Sequence, residues 1–213
     1  DIYVYLLRKN NLLKKLENKK ISNIGYFAKG KRGILFAGIY KNKKAAVKAK
    51  NPKSDAFGRI ENEAKWLKRL NKHKIGPKLL FFEIDYFVYE FVDGDFIIDY
   101  IKKSGRGKIK KIIKNIFNQL FILDKLNVDK EEMHHPVKHI IVSKNKPHLI
   151  DFERCHYSAN PKNVTQFCQF IMSIEKILKG KGIAIKKQEI MELAKVYKNT
   201  PSKSNLNKII NAL

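Results

Sequence analysis

The sequence predicts an α+β fold in which a strand-rich first half is followed by a largely helical second half. Up to about residue 92, apolar residues fall in short runs separated by Gly, Asn and Asp, a pattern typical of strands and tight turns. Beyond residue 95 they recur at helical spacing instead. Asp93-Gly94-Asp95 interrupts the chain between these two regions and predicts a boundary between two structural units.

The first half is expected to contain strands around one helix, preceded by a helical extension. Leucines spaced among Lys and Asn indicate an amphipathic helix near the start, so residues 1–19 are interpreted as that extension. In order, we expect a helix or helix pair over 2–18, three strands over 21–50, a helix over 58–72 that ends before Gly76-Pro77, and two strands around Asp85 over 79–92.

The second half shows one strong helical stripe and one hairpin. Apolar residues repeat at helical spacing through 108–127, which predicts a central core helix. Two apolar runs, 140–142 and 149–150, predict two strands joined by residues 143–147, with Asp151 at the end of the second strand. Further helices are expected near 162–179, 186–198 and 203–212.

The charge balance is strongly basic. The 213 residues include 45 Lys and Arg against 20 Asp and Glu, a formal net charge of +25. Two interpretations stay open: solvated lysines spread over the surface, which we favour, or non-specific attraction to a polyanion such as RNA. The sequence has no RRM-like or KH-like motif that would indicate a dedicated RNA-binding domain.

Composition also bears on compartment. No run approaches the ~18 apolar residues of a membrane span, and the first residues lack a basic-then-apolar signal pattern. The two cysteines, Cys155 and Cys168, have no CxxC spacing, so neither a zinc site nor a disulfide framework is indicated. We therefore expect a cytoplasmic protein with no membrane span.

A glycine turn between the first two strands is the first candidate binding feature. Gly30 and Gly33 allow backbone N–H groups to approach phosphate oxygens without interference from a Cβ atom. Lys48, on the next strand, could reach the same phosphates. Taken alone the turn is weak evidence, because such glycines are common in plain hairpins. The GxxxxGK[ST] phosphate loop is absent, which excludes a P-loop NTPase.

Glu63 is the more informative residue. Its spacing from Ile60 and Leu67 places it on the apolar face of its predicted helix. A carboxylate that faces a core needs a cationic partner, which an inward-pointing Lys48 would supply. The other interpretation is a Glu at the core boundary whose carboxylate reaches water.

Together, these features resemble the protein-kinase superfamily over roughly residues 20–175. The order is glycine turn, Ala46-Val47-Lys48, helix with Glu63, strand with Glu90, long helix, hairpin and Asp151-Phe152-Glu153. The nearest likeness is to small atypical kinases: RIO kinases, the small kinase of the KEOPS complex, lipopolysaccharide kinases and predicted archaeal Ser/Thr kinases. The resemblance implies a bilobal fold with a small β-rich N-lobe over 20–92 and a helical C-lobe over 93–213.

The resemblance also implies ATP and Mg²⁺ or Mn²⁺ as cofactors. Asp151 matches the metal-binding Asp of the DFG motif, although Glu153 stands where that motif has Gly. The residues implied to bind ATP are Gly30, Gly33, Lys48, Glu63 and the backbones of Glu90 and Val92.

The catalytic loop departs from the family pattern HxDxxxxN. His139 stands at the Asn position and would be a second metal ligand, while five residues before it stands His134 instead of Asp. An alternative alignment, with the loop two residues longer, makes Glu132 the general base. We favour Glu132 over His134, because a carboxylate is the usual acceptor of the hydroxyl proton. Lys138 could stabilise charge on the transferring phosphoryl group.

Two functions follow from the resemblance. The first is an ATP-dependent phosphotransferase, a small atypical Ser/Thr protein kinase with an unknown protein substrate. The second is an ATP-binding pseudokinase or ATPase subunit within an RNA- or protein-containing complex. Lys48, Glu63 and Asp151 together favour the first function. The missing catalytic Asp and the net charge of +25 favour the second.

Overall fold

A computed structural model describes residues 11–30, 33–51 and 58–213. The fold is mixed α+β, as the sequence predicts. The chain divides into two compact units, the first ending at Phe91 and the second beginning at Val92. The first ten residues of the expected extension, and Lys31 and Arg32 of the glycine turn, lie outside the described residues. Within the described part, no helix is both long and apolar enough to cross a membrane.

The first unit is built on an antiparallel sheet of five strands in the order β1-β2-β3-β5-β4. The three strands, the helix and the two further strands lie where the sequence predicts them. Of the helix expected over 2–18, the structure describes α1. The elements are α1 (Leu12–Asn18), β1 (Ile21–Lys29), β2 (Gly33–Tyr40), β3 (Lys43–Lys50), α2 (Arg59–Leu70), a 3₁₀ turn (Asn71–His73), β4 (Leu79–Phe82) and β5 (Tyr86–Glu90).

The two faces of this sheet have different roles. On one face, Val47 and Ala49 of β3 are buried in a core that includes Leu16 of α1. Because neighbouring strand residues point to opposite faces, Lys48 lies on the other side. There its side chain meets Glu63 of α2. The sheet therefore uses one face for an apolar core and the other to bring a lysine to a helix.

The second unit is mainly helical, with two small antiparallel sheets, β6-β8-β9 and β10-β7. The predicted core helix is present as α4, which packs against α5 and α8. The elements are β6 (Asp95–Phe96), α3 (Ile97–Lys103), α4 (Arg106–Lys125), β7 (Val128–Asp129), β8 (Ile140–Ser143), β9 (Lys146–Leu149), β10 (His156–Tyr157), α5 (Asn163–Ser173), α6 (Glu175–Lys179), α7 (Lys187–Asn199) and α8 (Lys203–Asn211).

The hairpin differs from the prediction in one important respect. Its turn consists of Lys144 and Asn145 alone, both with positive φ (49° and 57°), as in the tight turns whose twist matches paired strands. β9 consequently begins earlier than predicted and ends at Leu149. Asp151 was expected at the end of a strand, and that expectation is wrong: it belongs to the loop that follows β9.

The helix predicted over 162–179 is divided in two at Ile174. The Ser173 hydroxyl donates a hydrogen bond to the Phe170 carbonyl at 2.7 Å. Serine hydroxyls that bond back to a preceding carbonyl bend helices. The apolar pattern did not reveal this break, because apolar residues continue on both sides of it.

A buried carboxylate ties three helices of the second unit together. Asp124 of α4 accepts hydrogen bonds from the Asn163 side-chain amide (2.8 Å), the Val164 N–H (3.4 Å) and the Tyr197 hydroxyl (2.9 Å). Burial raises the pKa of Asp124 to about 6, although these hydrogen bonds oppose the rise. The group therefore joins α4 to the start of α5 and to α7.

The raised pKa of Asp124 predicts a pH-dependent stability. The unfolded chain releases this proton near pH 4 and the folded chain near pH 6. The contribution of Asp124 to the free energy of unfolding should therefore fall by roughly 2–3 kcal/mol as pH rises from about 4 to 6, and stay constant above. Urea unfolding of the wild type and of Asp124→Asn at each pH should show a stability difference that changes across this window. A difference independent of pH would contradict the prediction.

Candidate functional site

A lysine and a glutamate form a largely buried ion pair in the first unit. Lys48 Nζ on β3 lies 2.5 Å from Glu63 Oε2 on α2. The Lys48 side chain is 18% exposed and that of Glu63 only 6%. The apolar face on which the sequence placed Glu63 is thus buried, and the expected cationic partner is present. A pair with this little exposure differs from surface ion pairs, which contribute little to stability.

Gly33 makes room for the stem of this lysine. A Cβ atom at Gly33 would lie 3.2 Å from Cε and 3.4 Å from Cγ of Lys48. Those distances are tighter than ordinary van der Waals contact, so a side chain here would displace the lysine. The N–H of Gly30 donates to the Gly33 carbonyl at 2.9 Å and is engaged in closing the turn. Gly33 therefore acts on the position of Lys48.

The segment that leads out of β5 contains the two backbone positions implied to bind adenine. The Glu90 N–H donates to the Lys78 carbonyl at 2.9 Å, so an adenine contact at Glu90 would use its carbonyl oxygen. The Phe91 N–H donates to the Lys44 carbonyl at 3.1 Å. Val92 is half-buried at the start of the second unit. The segment is thus fixed to the sheet up to Phe91.

Two carboxylates meet in the loop after β9. Oxygens of Asp151 and Glu153 lie within 4.8 Å of one another, and both side chains are half-buried. Asp151 has a φ of 63°, a left-handed conformation that is uncommon outside glycine and that Asp tolerates better than most residues. Lys130, only 2% exposed, donates to the Asp151 carbonyl at 2.9 Å. A buried ammonium therefore helps to hold this backbone in place.

Glu132 is held between two side chains of the second unit. Its Oε1 accepts a hydrogen bond from Arg154 Nη1 at 2.9 Å, and its Oε2 lies 3.2 Å from His139 Nε2. The other ring nitrogen of His139, Nδ1, lies 3.5 Å from Lys130 Nζ. Because an ammonium offers only protons, this contact makes Nδ1 the acceptor. The ring proton of neutral His139 then lies on Nε2, directed at Glu132.

The backbone around Glu132 is strained. Glu131 and Glu132 both have positive φ, 62° and 58°. Each such residue costs of the order of 1 kcal/mol when it is not glycine. The loop is held by side-chain acceptors: Asp129 Oδ1 takes the Glu131 N–H at 2.9 Å, and Gln166 Oε1 takes the Met133 N–H at 3.0 Å. Strained loops maintained in this way are frequent at functional sites.

The other two residues predicted from the catalytic loop, His134 and Lys138, are exposed. His134 lines a groove with Gln166 and Lys162 of the α5 region. The structure thus brings Glu132, His139 and Lys130 together, the last through contacts to both His139 and the Asp151 backbone.

Three residues that contact or adjoin Glu132 and Asp151 were not identified from the sequence: Lys130, Glu153 and Arg154. Lys130 is one lysine among many, and nothing in its spacing marks it as buried. Glu153 was treated only as a replacement for Gly. Arg154 carried a usable signal, because arginine is rare in this lysine-rich chain and here it follows two carboxylates closely.

Comparison with known proteins finds one similar protein and no matching family. No protein-family model matches this chain. Over 114 residues it is 25% identical to an uncharacterized protein of Methanocaldococcus jannaschii, an alignment that covers 51% of this chain and 97% of that protein. This similarity assigns neither a family nor an activity.

The low exposure of the Lys48–Glu63 ion pair predicts how the loss of one or both charges changes the stability of the fold. Lys48→Met deprives a nearly buried carboxylate of its ammonium and should lower the free energy of unfolding by on the order of 3 kcal/mol. The double variant Lys48→Met/Glu63→Leu should recover most of this loss, since neither charge then remains. Chemical denaturation measures both variants. Lys43→Met, at the exposed start of β3, is the matched control and should change little.

If Lys48→Met proves as stable as the wild type, or if the double variant is less stable than the single one, Lys48 and Glu63 do not form a buried ion pair.

Proposed function

We propose that this protein is an ATP-dependent phosphotransferase, a serine/threonine protein kinase of the small atypical type that acts in the cytoplasm. In this proposal the first unit is a kinase-like N-lobe and the second a kinase-like C-lobe. The observation that carries it is the buried ion pair between Lys48 on the third strand of an antiparallel sheet and Glu63 on the following helix. Kinase-like proteins use such a lysine to hold the α- and β-phosphates of ATP.

The donor groups of the second unit fit a hard divalent cation. Asp151 and Glu153 offer carboxylate oxygens, which Mg²⁺ and Mn²⁺ prefer. When bound, such an ion would neutralise charge on the phosphates. His139 fits less well as a ligand, because its Nε2 faces Glu132 and its Nδ1 faces Lys130. Metal binding by His139 would require one of these contacts to open.

Glu132 suits the role of general base better than His134. Arg154 and His139 fix the Glu132 carboxylate from both sides, which orients it in one direction. A base must be positioned within hydrogen-bond reach of the proton that it accepts. His134 lies on an exposed groove and makes no comparable anchoring contact within the part of the chain that the structure describes. Lys138, which is exposed, would be free to move toward the transferring phosphoryl group.

The second candidate, an ATP-binding pseudokinase or ATPase subunit of a larger complex, is favoured by one observation. Each carboxylate oxygen of Glu132 already faces a cationic or proton-bearing partner. If neither partner gives way, Glu132 serves only to hold the loop. The two functions differ in a direct assay. Transfer of radiolabelled γ-phosphate to protein in the presence of Mg²⁺ or Mn²⁺ is expected of the kinase, and nucleotide binding without transfer is expected of the pseudokinase.

Replacement of Asp151 should separate the metal site from general charge effects. Asp151→Asn should lower metal-dependent phosphoryl transfer by about 10²-fold or more, because an amide is a poorer ligand for Mg²⁺ than a carboxylate. Asp99→Asn removes the same charge from an exposed position of α3 and should leave turnover unchanged. Titration of each variant with Mg²⁺ and Mn²⁺ measures the effect. Equal losses in both variants would rule out a metal role for Asp151.

The identity of the base is tested by two substitutions that introduce an uncharged amide side chain. Glu132→Gln keeps the size and an oxygen acceptor but removes basicity, so phosphoryl transfer should fall by about 10²-fold while nucleotide affinity stays the same. His134→Gln should have a much smaller effect. Single-turnover kinetics and equilibrium nucleotide binding give the two quantities separately. The reverse ranking would assign the role to His134, and full activity in both variants would leave the loop without a base.

A further inference from the structure

Two adjoining cavities on the second unit form one groove. Their volumes are about 860 Å³ and 450 Å³, and both are lined by Lys162 and Lys198. The larger lies against the end of α4 and the segment that precedes α5. The smaller runs between α5 and α7 and includes Met172 and Met191. We call this continuous surface, centred on Lys162 and Lys198, the lysine groove.

The groove carries unbalanced positive charge. Its four lysines are Lys125, Lys162, Lys195 and Lys198, all exposed. Within the described residues, none of the four ammonium groups forms an ion pair. The lining contains one carboxylate, Asp124, which is buried and accepts hydrogen bonds from the protein.

The beginning of α7 shows the opposite arrangement. Lys187 pairs with Glu175 at 2.7 Å, and Lys186, just before the helix, pairs with Glu189 at 3.8 Å. Lysines near one end of the helix are therefore neutralised locally, and those near the other end are not. The two ends of α7 differ in this respect, so the lysines at its beginning serve as a matched comparison for those of the groove.

The rest of the lining suits a ligand that carries both charges and neutral polar groups. It contains amide and hydroxyl side chains, and the methionines add an apolar wall. The first N–H groups of α5 are already taken by the protein: Lys162 N–H donates to Asp129 and Val164 N–H donates to Asp124. An anion in the groove would therefore be held by the lysines and not by the helix end.

We propose that the lysine groove binds the phosphodiester backbone of a nucleic acid, with single-stranded RNA as the preferred form. Several unpaired ammonium groups in one groove match a ligand with regularly repeated charges. The amide and hydroxyl groups can hydrogen-bond to sugar hydroxyls, and the methionines offer apolar surface to bases. An acidic peptide would also match the lysines, and the polyglutamate probe tests that alternative. This proposal is independent of the phosphotransferase activity.

The test compares two double variants with equal loss of charge. Lys162→Ala/Lys198→Ala removes the lysines shared by both cavities, and Lys186→Ala/Lys187→Ala removes two lysines at the other end of α7. Binding of a fluorescent oligouridylate to the full chain is measured by anisotropy across a series of salt concentrations, with oligothymidylate and polyglutamate as further probes. Circular dichroism confirms that the variants are folded.

We expect the groove variant to bind oligouridylate at least 10-fold more weakly at about 0.1 M salt, and the salt slope to fall by roughly 1.4, about 0.7 per lost phosphate contact. The control variant should stay within about twofold of the wild type. Equal losses in both variants would show diffuse attraction and overturn the proposal. Preference for polyglutamate over both oligonucleotides would also overturn it, while equal binding of RNA and DNA would retain the groove and remove only the preference for RNA.

Discussion

The hydrogen bonds of one buried side chain, Asn163, hold the candidate site of the second unit in place. Its amide nitrogen donates to Asp124 Oδ1 at 2.8 Å and to the Val128 carbonyl at 2.6 Å, and its oxygen accepts the Lys130 N–H at 2.9 Å. Both N–H groups and the oxygen of the side-chain amide are thus hydrogen-bonded, which fixes the orientation of the amide. Lys130 in turn reaches the Asp151 carbonyl. A chain of contacts therefore runs from the core carboxylate to the backbone of the proposed metal ligand.

In the first unit, too, a buried polar side chain requires a bonding partner. A carboxylate as buried as Glu63 is tolerated only with a cation against it, so α2 and β3 must meet where Glu63 and Lys48 stand. Gly33 belongs to this arrangement, because a Cβ atom there would lie only 3.2 Å from Cε of the lysine stem. In both units, then, a lysine that is half-buried (Lys48) or buried (Lys130) contacts a candidate functional residue. Such ion pairs and buried ammonium groups cost free energy to desolvate, which makes them poor choices for stability alone.

The extent to which the sequence predicts the structure follows from the range of the interactions involved. The strands of the first unit, the central helix α4 and the position of Glu63 depend on local periodicity, which can be read directly. The end of β9 depends on its pairing with β8, in which Leu149 lies opposite Ile140, and Asp151 therefore falls beyond the strand. The burial of Lys130 depends on contacts with Asp151 and Asn163, which lie far along the chain, so no local sequence pattern predicts it. The choice of Glu132 over His134 rests on general-base chemistry alone and stays a prediction, because the contacts of Glu132 to Arg154 and His139 are compatible with either role.

Three acidic residues around the candidate site of the second unit adopt an unfavourable backbone conformation. Glu131, Glu132 and Asp151 all adopt positive φ, and none of them is glycine. Glycine at these positions would relieve the backbone, but it would also remove the carboxylates. The chain instead retains the carboxylates and holds these loops with hydrogen bonds: Asp129 and Gln166 accept from the N–H groups of Glu131 and Met133, and Lys130 donates to the Asp151 carbonyl. These hydrogen bonds connect the loops that carry the carboxylates to β7 and α5, so the conformation of the loops depends on the secondary structure around them.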